Sequence, residues 1–167
     1  LIVNKVSNQV SLNLIDGNQN VLVADSAFLS DTDRQGYHLA SHWFKRGHKE
    51  PIKINLAADS ICSLPGFYKH GDFISFHGYR VQILNDEYEA SSLSVPRPAI
   101  DLLVVTGKAK VDTSLRCGMI AVSSGYRYRN LCCDSVHQNV YDVRKNGALV
   151  IDLKSNRDLD QPLVAGF

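Results

Sequence analysis

Three histidines at short spacing are the residues of this chain best suited to binding a metal ion. His38 and His42 are four residues apart in a segment with helical spacing, so they share one face, and His48 follows. A zinc-protease helix needs a glutamate directly after its first histidine, whereas Leu39-Ala40-Ser41 separates this pair. We expect surface histidines here, and keep a metal site on these three residues and nearby aspartates as the alternative.

A cluster of carboxylates precedes the histidines. Asp25, Asp31 and Asp33 would need a raised pKa for general acid–base work, but their sequence context is that of exposed helix caps. We therefore predict capping roles for them. His70 and His77 flank a predicted hairpin without a partner ligand at useful spacing, and both are interpreted as structural.

One short stretch has the composition of a nucleic-acid contact. The segment from Gly125 to Asn130 alternates tyrosine and arginine, which can stack on bases and neutralise phosphates. The small number of cations favours an alternative, in which the tyrosines cover a sheet edge and the arginines are solvated. The candidate nucleic-acid contacts are Lys108, Lys110, Tyr126, Arg127, Tyr128 and Arg129.

Two apolar runs must position these residues. Ile100–Val105 and Met119–Val122 are short, rich in β-branched residues and closed by small-residue turns, which predicts two buried neighbouring strands. If the strands are adjacent, Lys108 and Lys110 lie close to the tyrosine–arginine stretch. The turns contain no metal ligand or general base, and the chain has no nucleophile elbow, Walker loop or dinucleotide motif. We predict no catalytic residue.

The first half of the chain predicts a strand meander followed by a helix. Alternation over Val10–Ile15 and a turn at Asp16-Gly17-Asn18 indicate three strands within residues 1–24. Caps at Ser30–Asp33 predict a helix that ends at Gly47 and Pro51.

The second half predicts more strands. Ile52–Leu56 reads as a strand, Ala57–Leu64 as a helical turn or loop, and the segment GDFISFHGYRVQIL as a hairpin. A short helix is expected over Leu131–Gln138, and a closing hairpin over 139–153 that turns at Asn146-Gly147. About nine strands and one or two helices predict an α+β fold, one domain over 1–153 and a C-terminal tail over 154–167.

Composition restricts the function classes. The 167 residues carry 18 basic and 17 acidic side chains, a net charge of +1, so nucleic-acid contact requires a local patch. No stretch approaches the ~20 apolar residues of a membrane span. The four cysteines form no C-x-x-C pair, and Cys132-Cys133 is expected to be buried rather than redox-active. Because the chain begins Leu-Ile-Val and its single methionine is Met119, we expect a piece of a longer protein.

Five motifs in order resemble the C-terminal domain of ComEC-type competence proteins, the membrane channels for DNA internalisation, in the version found in Bacteroidetes. The opening IVNKVSNQVSLNLIDGNQNVLVADS resembles the first strands of that domain, and GDFISFHGYRVQIL its central hairpin. The segment AIDLLVVTGKAK resembles the one that ends in HHGS in intact members. GMIAVSSGYRYRN resembles the next strand and loop, and NVYDVRKNGALVIDL the closing hairpin. The resemblance implies a reduced metallo-β-lactamase-like β-sandwich with few helices.

The departures from the family pattern concern its metal site. No H-x-H-x-D-H motif follows Asp25, Thr106-Gly107-Lys108-Ala109 stands at the HHGS position, and no His-Pro follows Asn130. A two-metal hydrolase needs several His and Asp ligands around ions about 3.5–4 Å apart. We therefore do not carry the nuclease activity over to this chain, and expect no metal at the matched positions and no cofactor.

The expected function is that of a non-catalytic soluble domain of an inner-membrane DNA-uptake channel, on an undetermined side of the membrane. Its expected partners are the remainder of the channel and incoming single-stranded DNA. The alternatives are a metal-dependent hydrolase or nuclease with a relocated metal site, and a purely structural protein-interaction domain.

Overall fold

Two β-sheets make up most of the molecule. The computed structural model describes residues 1–6, 9–17, 19–40, 50–57, 61–84, 99–106, 117–123 and 139–153. The strands within them are β1 (Ile2–Val6), β2 (Gln9–Asp16), β3 (Gln19–Ala24), β4 (Ile52–Asn55), β5 (Cys62–Leu64), β6 (Phe67–His70), β7 (Phe73–Phe76), β8 (Tyr79–Leu84), β9 (Ile100–Val105), β10 (Cys117–Val122), β11 (Asn139–Asp142) and β12 (Leu149–Val150). The helices are α1 (Ser26–Ser30), α2 (Thr32–Gln35) and α3 (Val143–Asn146), and a π-helical segment (Gly36–Ala40) follows α2. The predicted sheet-rich α+β class is confirmed.

The first sheet has the strand order β12-β1-β2-β3-β4. The strands β1, β2 and β3 form the predicted antiparallel meander, and β2 and β3 pair up to Asp16 and Gln19 around the turn at Gly17. Gly17 has φ of +55°, a left-handed conformation that glycine adopts without a steric penalty. β4 joins β3 in parallel at one edge, and β12 joins β1 antiparallel at the other.

The second sheet has the order β11-β10-β9-β8-β7-β6-β5 and changes character along its width. The strands β5 to β8 are antiparallel neighbours, and the predicted hairpin turns at His77 and Gly78, both with positive φ. From β8 to β11 all pairings are parallel. The predicted neighbours β9 and β10 are therefore confirmed as internal strands of this sheet.

The main core lies between the two sheets. In β2, Leu12 and Leu14 are fully buried in this core, whereas Ser11 and Asn13 alternate with them on the opposite face, as the period of a strand requires. β9 is apolar on both faces: Leu102 belongs to the core between the sheets and Leu103 to a second buried cluster. A strand that is buried on both faces reads as a continuous apolar run, which explains the pattern of its sequence.

The helical segment after β3 begins earlier than predicted. The Asp25 carboxylate accepts the Phe28 N–H at 2.9 Å and starts α1, and Asp31 accepts the Arg34 N–H at 2.9 Å and starts α2. The buried Gln35 side chain donates to the Phe28 carbonyl at 2.8 Å and links the two short helices. The predicted capping roles of Asp25 and Asp31 are confirmed, and so is the predicted helix start at residues 30–33, where α2 begins, whereas Asp33 lies in the first turn of α2 and not at its cap. The additional helix α1, which Asp25 caps, was not predicted, and the predicted helix end at Gly47 lies outside the described residues.

Two further predictions are corrected by the strand pairing. Residues 62–64, predicted as part of a loop or helical turn, form β5, which pairs with β6 around the Pro65-Gly66 turn. The predicted closing hairpin is wrong, because β11 pairs with β10 in the second sheet and β12 pairs with β1 in the first. The Asp142 carboxylate accepts the N–H groups of Arg144 and Lys145 at 2.9 and 3.3 Å, so the residues between the strands form α3 and cross between the sheets.

Candidate functional site

The carboxyl ends of four neighbouring strands are aligned at one edge of the second sheet. Leu84 of β8 pairs with Val105 of β9, Val105 with Val122 of β10, and Val122 with Asp142 of β11. We call this side of the molecule the carboxyl edge. In open parallel sheets, the segments that follow such strand ends are the usual location of binding groups. The carboxyl edge is therefore the candidate site.

Hydroxyl residues follow the two central strands at this edge. Thr106 donates from its backbone N–H (2.8 Å) and from Oγ1 (3.1 Å) to the Leu84 carbonyl, which ties β9 to β8 beyond the last strand residue. The Ser123 N–H donates to the Val105 carbonyl at 3.1 Å. The Ser123 side chain is 1% exposed, and its Oγ has no hydrogen-bond partner within the described part of the chain. Thr106 thus has a structural bond, whereas Ser123 has an unused hydroxyl.

The first sheet contributes an acidic residue to the same edge. The strand pairs Asn4–Ser11 and Ser11–Ala24 place the end of β3 beside the distal part of β1. Since α3 packs against β1, β10 and β11, the ends of both sheets meet on this side. Asp25, directly after β3, uses its Oδ1 to cap α1. The edge therefore presents one carboxylate from the first sheet and hydroxyls from the second.

These strand-end residues do not fit a two-metal centre. Such a centre needs imidazoles and carboxylates that converge on ions about 3.5–4 Å apart, whereas Asp25 and Asp142 both accept helix N–H groups and Thr106 and Ser123 are neutral. No group of three or more His, Cys, Asp or Glu side chains in the described ranges is arranged to hold a metal ion.

The alternative metal site stays a prediction. His42 and His48 lie outside the described residues, as does the side chain of His38, whose backbone belongs to the π-helical segment. Cys132 and Cys133 also lie outside them. Cys62 and Cys117 lie within them, and both are half-buried.

All six predicted nucleic-acid contacts lie outside the described residues as well. They are Lys108, Lys110, Tyr126, Arg127, Tyr128 and Arg129. The structure describes the strand ends that precede them: Thr106 follows β9 and precedes the two lysines, and Ser123 follows β10 and precedes the tyrosines and arginines. These two strands are adjacent and parallel. The expectation that β9 and β10 are neighbours is confirmed, and the roles of the six side chains remain predictions.

The opposite edge of the sandwich, which we call the turn edge, is closed by tight turns. His77 Nε2 lies 2.9 Å from Asp16 Oδ2, an ion-pair distance at which the ring N–H is poorly aimed at the carboxylate. The His77 N–H donates to the Gly66 carbonyl at 2.7 Å. His77 thereby joins a turn of the second sheet to the β2–β3 turn of the first, a contact between distant residues that no sequence pattern indicates.

A second polar contact on β8 and β9 is also structural. Asp101 accepts the Arg80 backbone N–H at 2.7 Å and its Nε–H at 3.1 Å. Burial raises the pKa of Tyr79 to about 12, and the nearby Asp101 carboxylate adds to the effect. A tyrosine with a pKa this high stays protonated at neutral pH and has no role as a base, so this group does not form a competing site.

Two cations at the carboxyl edge lie in the segment predicted as the closing hairpin. They are Arg144 and Lys145, which lie on α3 and are exposed. The signal that could have found them is the aspartate that precedes them, since Asp followed by Val-Arg-Lys is a plausible helix start.

No helix of the described residues has the length and apolar character that crossing a membrane requires.

Neither the comparison with curated proteins nor the comparison with solved structures gives a match. The model of the ComEC C-terminal domain family matches residues 1–153, which include both sheets and every strand end described above. The match agrees with the resemblance of the five motifs, and it gives the chain a role in competence DNA uptake in the context of a membrane channel. This chain belongs to the ComEC C-terminal domain family.

Proposed function

We propose that the domain is a non-catalytic module of the DNA-uptake channel and contacts incoming single-stranded DNA through its carboxyl edge. The proposal includes a reduced metallo-β-lactamase-like sandwich that has lost its metal ligands. Support for that part comes from two facing sheets whose strand ends present hydroxyls and capping carboxylates, with no converging imidazoles among the residues that the structure describes.

The observation that carries the proposal is the parallel pairing of β9 with β10. Since Val105 pairs with Val122, the segments after Thr106 and Ser123 begin side by side. The first of these segments contains Lys108 and Lys110, and the second contains Tyr126–Arg129. The two segments that contain these two lysines, two arginines and two tyrosines therefore begin at adjacent strand ends. This combination of residue types suits a single strand whose phosphates are neutralised while its bases stack.

The test is a titration of fluorescently labelled oligo-dT by anisotropy over a series of salt concentrations. Four phosphate contacts predict a log–log slope of affinity against salt of about −2.8 or steeper, since each contact to a single strand contributes about −0.7. Replacing Lys108 and Arg127 by glutamine should make the slope less steep by about 1.4. The matched control is Lys53→Gln, which removes an exposed cation from the edge strand β4 of the other sheet.

The tyrosines give an independent readout. Tyr126→Ala and Tyr128→Ala should weaken binding by about 1–3 kcal/mol for each stacked base while leaving the salt slope unchanged. Absence of binding at low salt would contradict the DNA contact. It would favour the rest of the channel as the only partner, which is the structural alternative.

A further inference from the structure

The outer face of the second sheet, which points away from the core between the sheets, differs between the two halves of the sheet. Over the parallel strands this face is buried: Leu103, Ile120 and Val122 belong to the second buried cluster and are at most 1% exposed. Over β6 the same face is open, because Phe67 and Lys69 are buried on the core side while the residues that alternate with them are exposed. The antiparallel half therefore presents an exposed sheet surface.

Three aromatic side chains lie together on this exposed surface. The strand register pairs His70 of β6 with Phe73 of β7, and Tyr68 lies two residues before His70 on the same face. Directly opposite residues have Cβ atoms about 4.5–5.5 Å apart, and diagonal neighbours such as Tyr68 and Phe73 are about 7–8 Å apart. Tyr68 is 38% exposed, His70 is exposed and Phe73 is half-buried. We call these three residues the aromatic platform.

The fold makes no polar or ring contact with the aromatic platform. Within the part of the chain that the structure describes, none of its three side chains takes part in a hydrogen bond, an ion pair or a ring contact. Exposed rings of this kind can stack on an external ring system, as aromatic side chains do in proteins that bind single strands.

The residues beside the aromatic platform on β7 and β8 are polar. Ser75 and Gln82 lie on the same face of the sheet. Arg80 follows on that face, but it donates to Asp101 from Nε at 3.1 Å and from Nη2 at 3.3 Å, and this ion pair has no net charge. The surface thus offers ring faces and hydrogen-bonding groups, which suit the π-face and the polar edges of a nucleobase.

The aromatic platform lies next to the carboxyl edge. The turn between β6 and β7 follows His70, and within it the Asp72 carbonyl accepts the Ile83 N–H at 2.9 Å. Ile83 is the residue before Leu84, with which β8 ends at the carboxyl edge. This placement follows from the pairing of β6, β7 and β8 alone.

From this geometry we infer that Tyr68, His70 and Phe73 form a base-stacking surface for single-stranded DNA on the exposed half of the second sheet. The inference rests on the proposed function for the identity of the ligand, and it adds a contact that acts by stacking instead of charge. Loss of one stacked base should weaken binding about 5–150-fold. The salt slope should stay the same, because no phosphate contact is lost.

The first experiment repeats the oligo-dT titration on the full chain with Tyr68→Ala, Phe73→Leu and the double variant. Each should weaken binding within this range at an unchanged slope, whereas Tyr68→Phe keeps the ring and should bind as the native chain does. Ile61→Ala is the matched control, since Ile61 precedes β5, is 65% exposed and is apolar without a ring. Urea denaturation shows whether the variants remain folded.

A photocrosslink locates the contact directly. Oligo-dT in which one thymine is replaced by 5-iodouracil bonds to a nearby aromatic side chain on irradiation, with loss of hydrogen iodide. Trypsin then releases Tyr68 in the peptide 54–69, and His70 and Phe73 in the peptide 70–80. Mass spectrometry should find the oligonucleotide attached to these two peptides.

Three results would overturn the inference, and they separate it from the proposed function. If the native chain binds, an unchanged affinity in the double variant or crosslinks confined to other peptides reject the aromatic platform and leave the proposed DNA contact standing. A dimer of the native chain that Tyr68→Ala dissociates would assign the surface to a second copy of the chain. No binding by the native chain at low salt rejects both proposals.

Discussion

The two edges of the sandwich differ in how the chain leaves its strands. At the turn edge the strands are joined by tight turns at Gly17, Gly66 and His77-Gly78, and the contact between Asp16 and His77 connects the two sheets. At the carboxyl edge the parallel strands end separately, and their ends carry hydroxyls, capping carboxylates and cations. The comparison indicates that contacts at the turn edge join the two sheets, whereas the segments after the parallel strands begin at the carboxyl edge.

The largest effect is expected from a substitution at the turn edge. Gly66 has φ of +70°, and a Cβ built on it would lie 2.3 Å from the His77 ring. Gly66→Ala therefore strains the backbone and displaces His77 from Asp16, and should lower the free energy of unfolding by about 2–4 kcal/mol. Urea denaturation measures the change.

The control for this prediction is another glycine of the same edge. Gly17 also has positive φ, but its Cβ would meet nothing within 4 Å, so Gly17→Ala should cost only the backbone penalty of about 1–2 kcal/mol. In a His77→Ala background the two alanine substitutions should cost the same. Equal costs already in the native background would show that the His77 contact does not constrain this edge.

A smaller effect is expected where β8 meets β9. Asp101 accepts both the backbone N–H and the side chain of Arg80, whereas the Arg80 side chain contributes only a half-exposed ion pair. Asp101→Ala should cost about 1–2 kcal/mol because it leaves a backbone donor without its charged acceptor. Arg80→Ala should cost about 0–1 kcal/mol, as is usual for exposed ion pairs.

The titration of Tyr79 checks the same carboxylate without a denaturant. Its pKa of about 12 has burial as the main cause and Asp101 as the second. Asp101→Ala should therefore lower this pKa only part of the way towards the ordinary value of about 10. Tyrosinate absorbance at alkaline pH, compared with Tyr79→Phe, measures the shift. A return to the ordinary value would make Asp101 the dominant cause instead.

Local patterns were sufficient to predict the strands that have strong periodicity. The alternation of β2, the turn glycine at position 17 and the apolar run of β9 each depend on neighbouring residues, and each prediction is confirmed. β5 was missed because three residues are too short for a period to appear. The helix α1 was missed because one aspartate, Asp25, can either end a strand or cap a helix.

Pairing partners were harder to predict, because the decisive contacts lie far apart in sequence. Asn146-Gly147 suggests a hairpin turn, but β12 finds its partner in β1 at the other end of the domain. For the site, the sequence indicated that β9 and β10 are neighbours. It gave no sign that α3 would bring Arg144 to the same edge, since that placement depends on the parallel pairing of β11.

Small effects are also expected from the two hydroxyls of the carboxyl edge, and they should differ in sign. Thr106→Val removes the Oγ1 bond to the Leu84 carbonyl, which still accepts the Thr106 N–H, and should cost about 0.5–1.5 kcal/mol. Ser123→Ala replaces a buried hydroxyl that has no partner within the described residues, and should be neutral or stabilise the fold by up to about 1 kcal/mol. Both free energies come from urea denaturation, and neither variant should alter the salt slope for oligo-dT, since no charge is lost. A cost for Ser123→Ala as large as that for Thr106→Val would mean that both edges use their polar groups to hold the fold, and would remove the distinction between them.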